Sequence, residues 1–457
     1  MSLIYPNTKQ DEKKSTDAEF MKYAKIEMVK APQTVLLLGS GGRECAMAAA
    51  IAESKLLRKL YIAPGNAGTA AYGTNVPELN PAKHEAVSEF ITSHGVTLLV
   101  CGPEAPLVDG LVDYLQEDAR HPDLLIVGPD KSGAHLEGSK EYSKEFMRRH
   151  GIPTASYETF GPQDIEEAEE FLDQLSAPFV LKADGLAAGK GVLICQDREE
   201  AEEGLGQLFS GLYGSRGQCI VIEEFLEGIE CSVFVATDGT DYCVLPVAKD
   251  YKRVGDGDTG PNTGGMGAVS PVPFADEAFM QRVEERIIRP TLEGLQEEGI
   301  QYVGFLFIGL MNVAGDPYVI EYNCRLGDPE TEVVLPRIES DFLELLIAMA
   351  TGQVARYDLE ISPEVAMTLV LVSKGYPGHY DKGFPIQLPN PVEGIRIYHS
   401  GTATSEEGHL VTNGGRVLAI TARGTTIQEA QEACYRTATQ TLYEGKNYRH
   451  DIGDDLL

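Results

Sequence analysis

Short apolar runs alternate with helix-like stretches over the first part of the chain, and this alternation limits the fold more than any other feature. The runs have the pattern of buried strands and end at glycine or proline: TVLLLGSGG, KLYIAPGN, TLLVCGPE and LLIVGPD. Helical patterns such as ECAMAAAIAESKLL and AVSEFITSHG lie between them. Strands that alternate with helices favour a parallel sheet covered on both faces. We therefore predict an α/β domain at residues 33–135.

The rest of the chain is richer in strands. The runs FVLKADG, GVLICQD, CIVIEEFLEG, CSVFVATDG and YCVLPVAKDY have little helix between them, which predicts a mixed or antiparallel sheet. The stretch FLFIGLMNVAGDPYVIEYN predicts a hairpin that turns at Ala-Gly-Asp-Pro. Residues 353–457 carry strand patterns followed by one helix, which predicts a small α+β domain. Residues 1–32 are polar, and we interpret them as an extension outside the fold.

Charge and composition exclude several classes of protein. The net charge of -32 and the pI near 4.6 argue against nucleic acid or an anionic membrane as a partner. No apolar run approaches the roughly 18 residues of a membrane helix, and the first residues lack the apolar core of a signal peptide. The eight cysteines contain no C-x-x-C pair, which disfavours structural zinc and is typical of a reduced, cytoplasmic protein.

Two glycine-rich stretches suggest phosphate binding without matching the usual fingerprints. In GSGGRE, Glu44 stands where a dinucleotide-binding loop needs glycine, so NAD and FAD are disfavoured. The free backbone N–H groups of a helix N-terminus would still suit a phosphate, and a plain strand-to-helix turn is the alternative. In LKADGLAAGKGV, only three residues separate Gly185 from Gly189, so the loop is not a Walker A loop. It could fold over phosphates with Lys182 as a fixed charge, or it could be an ordinary hairpin loop.

A third stretch, KDYKRVGDGDTGPNTGGMGA at residues 249–268, reads as a long loop dense in glycine and charged residues. A structureless loop of that length in a compact chain is usually functional or disordered. Its composition favours contact with a ligand.

The stretch YVIEYNCRLGDPE predicts a metal site at the end of an apolar strand. Glu321, Asn323 and Arg325 alternate along the chain, so they share one face of a strand. A metal ion that holds a phosphate would use a carboxylate, an amide oxygen and a guanidinium together. Magnesium often takes only one or two protein ligands and completes its shell with phosphate oxygens and water.

These motifs, in this order, resemble the phosphoribosylamine–glycine ligase family of the ATP-grasp superfamily from about residue 33 to the C-terminus. The matching motifs are GSGGRE, APGNAGTA, GPEAPLVDG, LEGSK, LKADGLAAGKGV, EEFLEG, KRVGDGDTGPNTGGMGA, EYNCRLGDPETE, SKGYPG and TNGGRVLAIT. The resemblance implies a Rossmann-like N-terminal domain, an ATP-grasp core of two α+β subdomains, and a small α+β C-terminal domain. The core would span residues 136–352, with its flap at about 155–223, and the C-terminal domain would span 353–457.

The resemblance also implies the site residues. The ATP site would combine phosphate lysines, a flap over the phosphates, an adenine-binding strand and a carboxylate for the ribose: Lys140, Lys182, Gly185, Gly189, Lys190, Gly191, Glu223, Glu224, Phe225, Leu226 and Glu230. Glu321 and Asn323 would bind Mg²⁺ or Mn²⁺. The site for the other substrates would comprise Gly41, Gly42, Arg43, Glu44, Asn66, Gly68, Thr69, Pro103, Glu104, Asp256, Arg325 and Gly327.

The implied reaction joins glycine to 5-phosphoribosylamine through a glycyl phosphate, in purine biosynthesis. Lys182, Arg325 and Asp256 would be the catalytic residues, acting mainly by position and charge. We expect no covalent protein nucleophile, and we expect a monomer. Two other functions stay open: an ATP-grasp ligase with changed substrates, and an ATP-binding regulator without activity.

The chain departs from the family pattern at four places. Cys45 and Tyr251 stand where the family usually has histidine, so a proton transfer by histidine at those positions is excluded. Gly228-Ile229-Glu230 replaces a common Gly-Glu-Glu, and Glu332 stands where Gln is common. These changes leave the predicted metal ligands and phosphate lysines in place.

Overall fold

A computed structural model describes residues 31–186, 191–210 and 219–457. Its first sheet is parallel throughout, as the alternating pattern predicted, with strand order β3-β2-β1-β4-β5. The strands are β1 Gln33–Gly39, β2 Leu57–Pro64, β3 Thr74–Asn75, β4 Leu98–Cys101 and β5 Leu125–Val127. The helices between and after them are α1 Gly42–Ala52, α2 His84–His94, α3 Glu104–Val108 and α4 Leu111–Glu117. Every residue of β1 is buried, because helices cover both faces of the sheet.

Two helices, α5 Lys131–Gly138 and α6 Lys140–Arg149, lead into an antiparallel sheet of order β6-β9-β7-β8. Its strands are β6 Tyr157–Phe160, β7 Phe179–Ala183, β8 Val192–Cys195 and β9 Ile220–Glu224. The helices α7 Ile165–Leu172 and α8 Arg198–Phe209 cover it and form a small core of their own. This sheet carries Lys182 on β7 and Glu223 on β9.

A second antiparallel sheet has the order β11-β10-β16-β17, formed by β10 Ile229–Thr237, β11 Tyr242–Val244, β16 Gly304–Val313 and β17 Asp316–Asn323. The predicted hairpin is confirmed as β16–β17. Val313 pairs with Asp316, so Ala314 and Gly315 form a two-residue turn, with φ of 51° and 97°. The helices α9 Glu277–Val283 and α10 Arg289–Glu297 are joined by a π-helical segment, Glu284–Ile288.

The C-terminal sheet has the order β12-β15-β18-β22-β19 and is antiparallel. Its strands are β12 Lys249–Asp250, β15 Gly267–Ser270, β18 Val365–Val372, β19 Ile395–His399 and β22 Arg416–Gly424, packed against the helix α13 Ile427–Gln440. Two small hairpins accompany it, β13 Arg253–Gly255 with β14 Thr259–Asn262, and β20 Thr402–Thr404 with β21 Leu410–Thr412. The helices α11 Thr331–Val334 and α12 Phe342–Thr351 connect the two halves.

The interpretation of residues 249–268 as one structureless loop is wrong. The segment contains β12, the β13–β14 hairpin and the start of β15, and β15 pairs with β18 about a hundred residues further along the chain. A local pattern gives no sign of such a distant partner. The C-terminal sheet therefore includes two strands from a segment that we assigned to the ATP-grasp core, and the domain limits stay predictions.

One apolar core joins the first sheet to the C-terminal sheet. Val35 of β1 and Val370 of β18 belong to the same buried cluster. This packing places the ends of β1, β2 and β19 side by side. None of the helices in the described ranges is long and apolar enough to cross a membrane. The predicted extension, apart from residues 31 and 32, lies outside the described residues.

Candidate active site

The carboxylate of Glu321 projects from β17 without a hydrogen-bond or ion-pair partner among the residues that the structure describes. Gly309 on the facing strand leaves room for it, since a Cβ there would lie 3.2 Å from Cγ of Glu321. Burial favours the neutral acid, but the positive charges of Lys252, Lys182 and Lys140 prevail and lower the pKa of Glu321. Glu321 is therefore an ionised carboxylate with free oxygens.

Asn323 lies two residues further along the same strand, where its Oδ1 accepts a hydrogen bond from Nη2 of Arg325 at 3.0 Å. The structure thus brings Asn323 and Arg325 together, as the sequence predicted. The free carboxylate of Glu321 and the amide oxygen of Asn323 fit a divalent cation by type of donor. The described residues hold no ready-made cluster of three His, Cys, Asp or Glu side chains for a metal, so these two oxygens suit a cation that takes its other ligands from phosphates and water.

The predicted phosphate lysines lie beside Glu321. Lys140 begins α6, and its Nζ donates to the carbonyl oxygen of Gly185 at 2.8 Å. Burial lowers the pKa of Lys140, while Glu321 opposes this effect. Lys182 donates to the carbonyl oxygen of Ile320 at 3.2 Å, directly before Glu321. Two cations therefore converge on one carboxylate from different elements.

Glu223, predicted for adenine, has its side chain in an ion-pair chain. Its carboxylate lies 2.8 Å from Nζ of Lys182 and 2.9 Å from Nζ of Lys144. Burial raises the pKa of Glu223, but the two lysines outweigh it and lower that pKa. Lys144 was not predicted from the sequence. Burial lowers the pKa of its ammonium group to about 8. The side chain of Glu223 thus fixes Lys182 in place, which leaves only its backbone for adenine.

The neighbouring residues of that strand are placed at its end. Oε1 of Glu224 accepts from the backbone N–H of Ser156 at 2.8 Å, and Phe225 is exposed. A cavity of about 880 Å³ opens here and is lined by Glu224 and Phe225 together with residues 152–158. Leu226 follows Phe225 in the same irregular segment.

Lys252 extends the charged cluster beyond what the sequence predicted. Its Nζ lies 2.7 Å from Oε2 of Glu230, the carboxylate predicted for the ribose. Asp250 and Glu330 complete the group; burial raises the pKa of both, to about 7 for Glu330. Ser232 donates to Glu330 at 3.1 Å. Lys252 and Glu330 belong to motifs that carried the resemblance, and Asp250 lies two residues before one of them, but only the fold shows that they meet.

Arg325 connects the first domain to the strand end. Its Nη2 lies 2.7 Å from Glu137 of α5, and its Nε lies 3.2 Å from Glu104 of α3. Burial raises the pKa of Glu104, but Arg325 and Arg43 prevail and lower it. Glu137 was missed, although it lies in the LEGSK motif. Arg325 is therefore held by two carboxylates and by Asn323, and its predicted contact with substrate stays a prediction.

Carboxylates occupy the N-terminus of α1, where the sequence predicted free N–H groups. The N–H of Gly41 donates to Oε2 of Glu44 at 2.6 Å, and the N–H of Arg43 donates to Oδ2 of Asp328 at 3.3 Å. Nε of Arg43 also bonds Oε1 of Glu44 at 2.5 Å. Gly42 packs on Glu332, because a Cβ at Gly42 would lie 2.3 Å from its Oε1. A phosphate at this turn would have to displace Glu44 or Asp328, so the phosphate role stays a prediction.

The loop after β2 is organised by Asn66. Its Oδ1 accepts from the N–H groups of Gly68 and Thr69, and its Nδ2 donates to the carbonyl oxygen of His399 at 2.7 Å. Sequence reasoning missed His399, whose ring packs on Gly68 and whose Nδ1 lies 3.0 Å from Thr402 Oγ1. The C-terminal domain thus contributes a histidine to the predicted substrate loops.

Asp256 lies apart from the other predicted catalytic residues. It sits in the turn between β13 and β14, and its carboxylate accepts from the N–H of His450 at 2.7 Å. Among the described residues, its contacts are with the C-terminal segment and with Thr259 rather than with Lys182 or Arg325.

The remaining predicted residues are mostly backbone positions. Pro103 caps α3, and Gly327 accepts from Oγ1 of Thr331 at 2.5 Å. The carbonyl oxygen of Gly191 accepts from Ala183 at 2.8 Å. Gly189 and Lys190, which the sequence also predicted for ATP, lie outside the described residues, so the predicted flap is described only at its two ends.

Three of the four departures from the family pattern are buried, whereas Ile229, in the fourth, is 47% exposed. Cys45 is 1% exposed, and burial raises the pKa of its thiol to about 12, so it packs as a small apolar side chain. Tyr251 is 3% exposed and donates to Oδ1 of Asp455 at 2.6 Å. Glu332 is fully buried, with no hydrogen bond to either oxygen in the described part of the chain.

The matches to known proteins extend over most of residues 33–455. Three models of one family match it in order: the phosphoribosylglycinamide synthetase N domain at residues 33–137, its ATP-grasp (A) domain at 138–331, and its C domain at 366–455. Proteins called phosphoribosylamine–glycine ligase match at similar extent. That of Rhizobium meliloti is 46% identical over 92% of this chain and 97% of its own length. That of Chlorobaculum tepidum is 44% identical over 93% of this chain and 100% of its own.

Solved structures agree. The crystal structure of a phosphoribosylamine–glycine ligase from Thermotoga maritima matches with a TM-score of 0.77 and 38% identity, covering 92% of this chain and 99% of that one. A biotin carboxylase domain from Hydrogenobacter thermophilus, solved with MgADP, matches with a TM-score of 0.69 over 91% of this chain and 92% of its own. At 18% identity, that second likeness shows the shared fold alone.

Proposed function

The chain belongs to the phosphoribosylglycinamide synthetase family, and we propose that it uses ATP to join glycine to 5-phosphoribosylamine at the site described above. The products are glycinamide ribonucleotide, ADP and phosphate, a step of purine biosynthesis. The enzyme is an ATP-grasp ligase that acts on small molecules. The observation that carries the assignment of the site is the meeting of Glu321, Lys140 and Lys182 at the end of β17.

The first chemical step makes glycyl phosphate from the carboxylate of glycine and the terminal phosphoryl group of ATP. This transfer needs positive charge around the phosphoryl oxygens and an in-line arrangement of the two reactants. Lys140 and Lys182 supply fixed charge, because Gly185 and Glu223 hold their Nζ atoms in place. Their role is to position the phosphates and to stabilise the charge that develops in the transition state.

A divalent cation is typical of ATP-grasp ligases, and we propose Mg²⁺, with Mn²⁺ as a substitute. Glu321 and Asn323 would hold it by one carboxylate and one amide oxygen. When bound, the cation would neutralise and orient the phosphate oxygens of ATP. Arg325 stabilises the amide of Asn323 through their 3.0 Å hydrogen bond, so it orients a ligand in addition to any contact with substrate.

In the second step, the amine of 5-phosphoribosylamine attacks the acyl phosphate and releases phosphate. We propose that the loops at residues 41–44, 65–69 and 102–107, with Asp256, hold this substrate. The carboxylate of Glu104, whose side chain is 29% exposed, suits a hydroxyl group of a ribose as an acceptor, whereas both oxygens of Glu44 already accept hydrogen bonds from Gly41 and Arg43. Since Cys45 and Tyr251 replace histidines, proton transfer has to use another base, water or the released phosphate. We further propose that the enzyme works as a monomer in the cytoplasm.

The test is ATP-dependent release of phosphate with Mg²⁺, glycine and freshly made phosphoribosylamine, each omitted in turn. We expect release only when all are present, together with formation of glycinamide ribonucleotide. Release that requires a different amino acid, or none, would contradict the proposed substrates.

A further inference from the structure

The turn between β13 and β14 is held by residues far away in the sequence. The hairpin strands have only three and four residues, and Asp256, Gly257 and Asp258 form the turn between them. Gly257 and Asp258 have φ of 65° and 52°, a conformation that non-glycine residues rarely adopt. A two-stranded hairpin of this size is at best marginally stable alone. Its shape must therefore depend on contacts from outside.

Arg449 supplies the central contact. It is 2% exposed, and its guanidinium lies 2.6 Å from Oδ1 of Asp258 and 3.2 Å from the carbonyl oxygen of Arg253. The other edge of the guanidinium binds both oxygens of Asp451, at 2.8 and 2.7 Å. A planar arginine that binds two groups at fixed angles sets their relative position, which a lysine could not do.

Two further bonds tie the turn itself. The N–H of Gly257 donates to Oδ2 of Asp451 at 2.7 Å, and the N–H of His450 donates to Oδ1 of Asp256 at 2.7 Å. Asp451 therefore receives Arg449 and the turn backbone with one carboxylate. The position of the Asp256 carboxylate is set by a backbone N–H of the C-terminal segment.

The base of the hairpin is anchored in the same way. The hydroxyl of Tyr251 donates to Asp455 at 2.6 Å and accepts from the N–H of Gly453 at 3.0 Å. Lys249 forms an ion pair with the same Asp455. Residues 449–455 thus bind the stretch 249–258 from its start to its turn.

We propose that residues 449–455, with Arg449 at their centre, are a positioning element that sets the place of Asp256 for the phosphoribosylamine. The inference rests on the function proposed above, which gives Asp256 a contact with that substrate. The segment contacts the turn through Arg449 and Asp451. Loss of its contacts with the turn should weaken one substrate selectively, because Lys252, which belongs to the charged cluster around Glu321, is held by Glu230 and not by this segment.

The test compares Arg449→Ala and Asp451→Ala with Arg436→Ala, a control at an exposed arginine of α13. Asp451→Ala is included in case Arg449→Ala does not fold, because the Asp451 side chain is 23% exposed and belongs to the C-terminal segment. For both variants we expect the KM for phosphoribosylamine to rise about tenfold or more, since small misplacements are costly at reacting groups. In both variants the KM for ATP should equal the wild-type value, and the control variant should keep the wild-type KM for both substrates.

The outcomes separate this inference from the proposed function. If the wild-type protein itself releases no phosphate with phosphoribosylamine, the function fails. If the wild type is active and both variants keep its KM for phosphoribosylamine, the positioning role is overturned. Equal rises in KM for ATP and phosphoribosylamine, or failure of both variants to fold, would show that the segment only supports the fold, and would also overturn it.

Discussion

At the scale of single residues, Glu321 lies in an environment unlike that of an ordinary surface carboxylate. It is ionised among three lysines, and it has no partner among the described residues. Glu321→Ala should therefore cost no folding contact. It should lower ATP-dependent ligation by about a hundredfold or more, since it removes charge placed for the phosphates.

Phosphate release at saturating Mg²⁺ and a thermal melt would measure both effects. Asp316→Ala is the matched control, because Asp316 begins the same strand and pairs with Arg286 at the surface. Near-normal turnover of Glu321→Ala would rule out Glu321 as a metal ligand.

Glu332 gives a prediction about pH. Burial, reinforced by Asp328, raises the pKa of Glu332 well above its usual value despite the opposing charge of Arg416. The folded state then binds the proton more tightly than the unfolded state, so the stability that the protonated acid contributes is lost as pH rises from about 4.5 towards the folded pKa. Glu332→Gln cannot lose a proton, and it should raise the free energy of unfolding by about 1–3 kcal/mol at pH 8.

Denaturant unfolding of wild type and of Glu332→Gln from pH 4 to pH 8 would test this prediction. The difference between Glu332→Gln and wild type should be near zero at pH 4 and grow with pH. Glu406→Gln, at an exposed glutamate, is the control. A difference that does not change with pH would mean that Glu332 keeps the same protonation state in both conformations.

At the scale of elements, the β16–β17 turn contains a residue, Ala314, that does not suit the backbone conformation it adopts. Ala314 adopts a φ of 51° in a two-residue turn that favours Asn followed by Gly. Ala314→Asn should raise the free energy of unfolding by about 0.5–1 kcal/mol, because asparagine tolerates this conformation. Gly315→Ala, at φ of 97°, should lower it by about 1 kcal/mol or more.

Melting temperatures of the two variants, with ligation assayed alongside, would check this pair. Turnover should stay at the wild-type level in Ala314→Asn, because the turn lies at the opposite end of β17 from Asn323. A melting temperature that falls in Ala314→Asn would contradict the assignment of the turn type.

Elements also mark the limit of what the sequence can predict. The strands β1, β2, β4, β16 and β17 are visible in local periodicity, and so is the shared face of Glu321 and Asn323. The strand β15 is not, because its partner β18 is remote in sequence. Lys144, Glu137 and His399 were missed for the same reason: an ion pair between Glu137 and Arg325 joins residues 188 positions apart, and no local pattern records it. The state of the α1 N-terminus was also hidden, since Asp328 reaches it from another domain.

At the scale of the whole molecule, the C-terminal sheet and the first sheet share one apolar core. Deletion of residues 353–457 would expose that core and leave β12 and β15 without β18. We expect the truncated protein to be insoluble or unfolded, by the yield of soluble protein and by circular dichroism. Deletion of residues 1–30 is the control and should leave the melting temperature within a few degrees of wild type, as is usual for terminal segments. A soluble fragment of residues 1–352 that melts cooperatively would show that the core is divisible.

The pairing of β15 with β18 also bears on how such genes can exchange parts. A crossover between this chain and a relative that is 44–46% identical to it, placed anywhere from residue 271 to residue 364, would take the two strands from different parents. The side chains that pack across β15 and β18 would then come from different parents and would not have been selected together. Hybrids of this family should survive more often when one parent supplies residues 249–270 together with the C-terminal sheet.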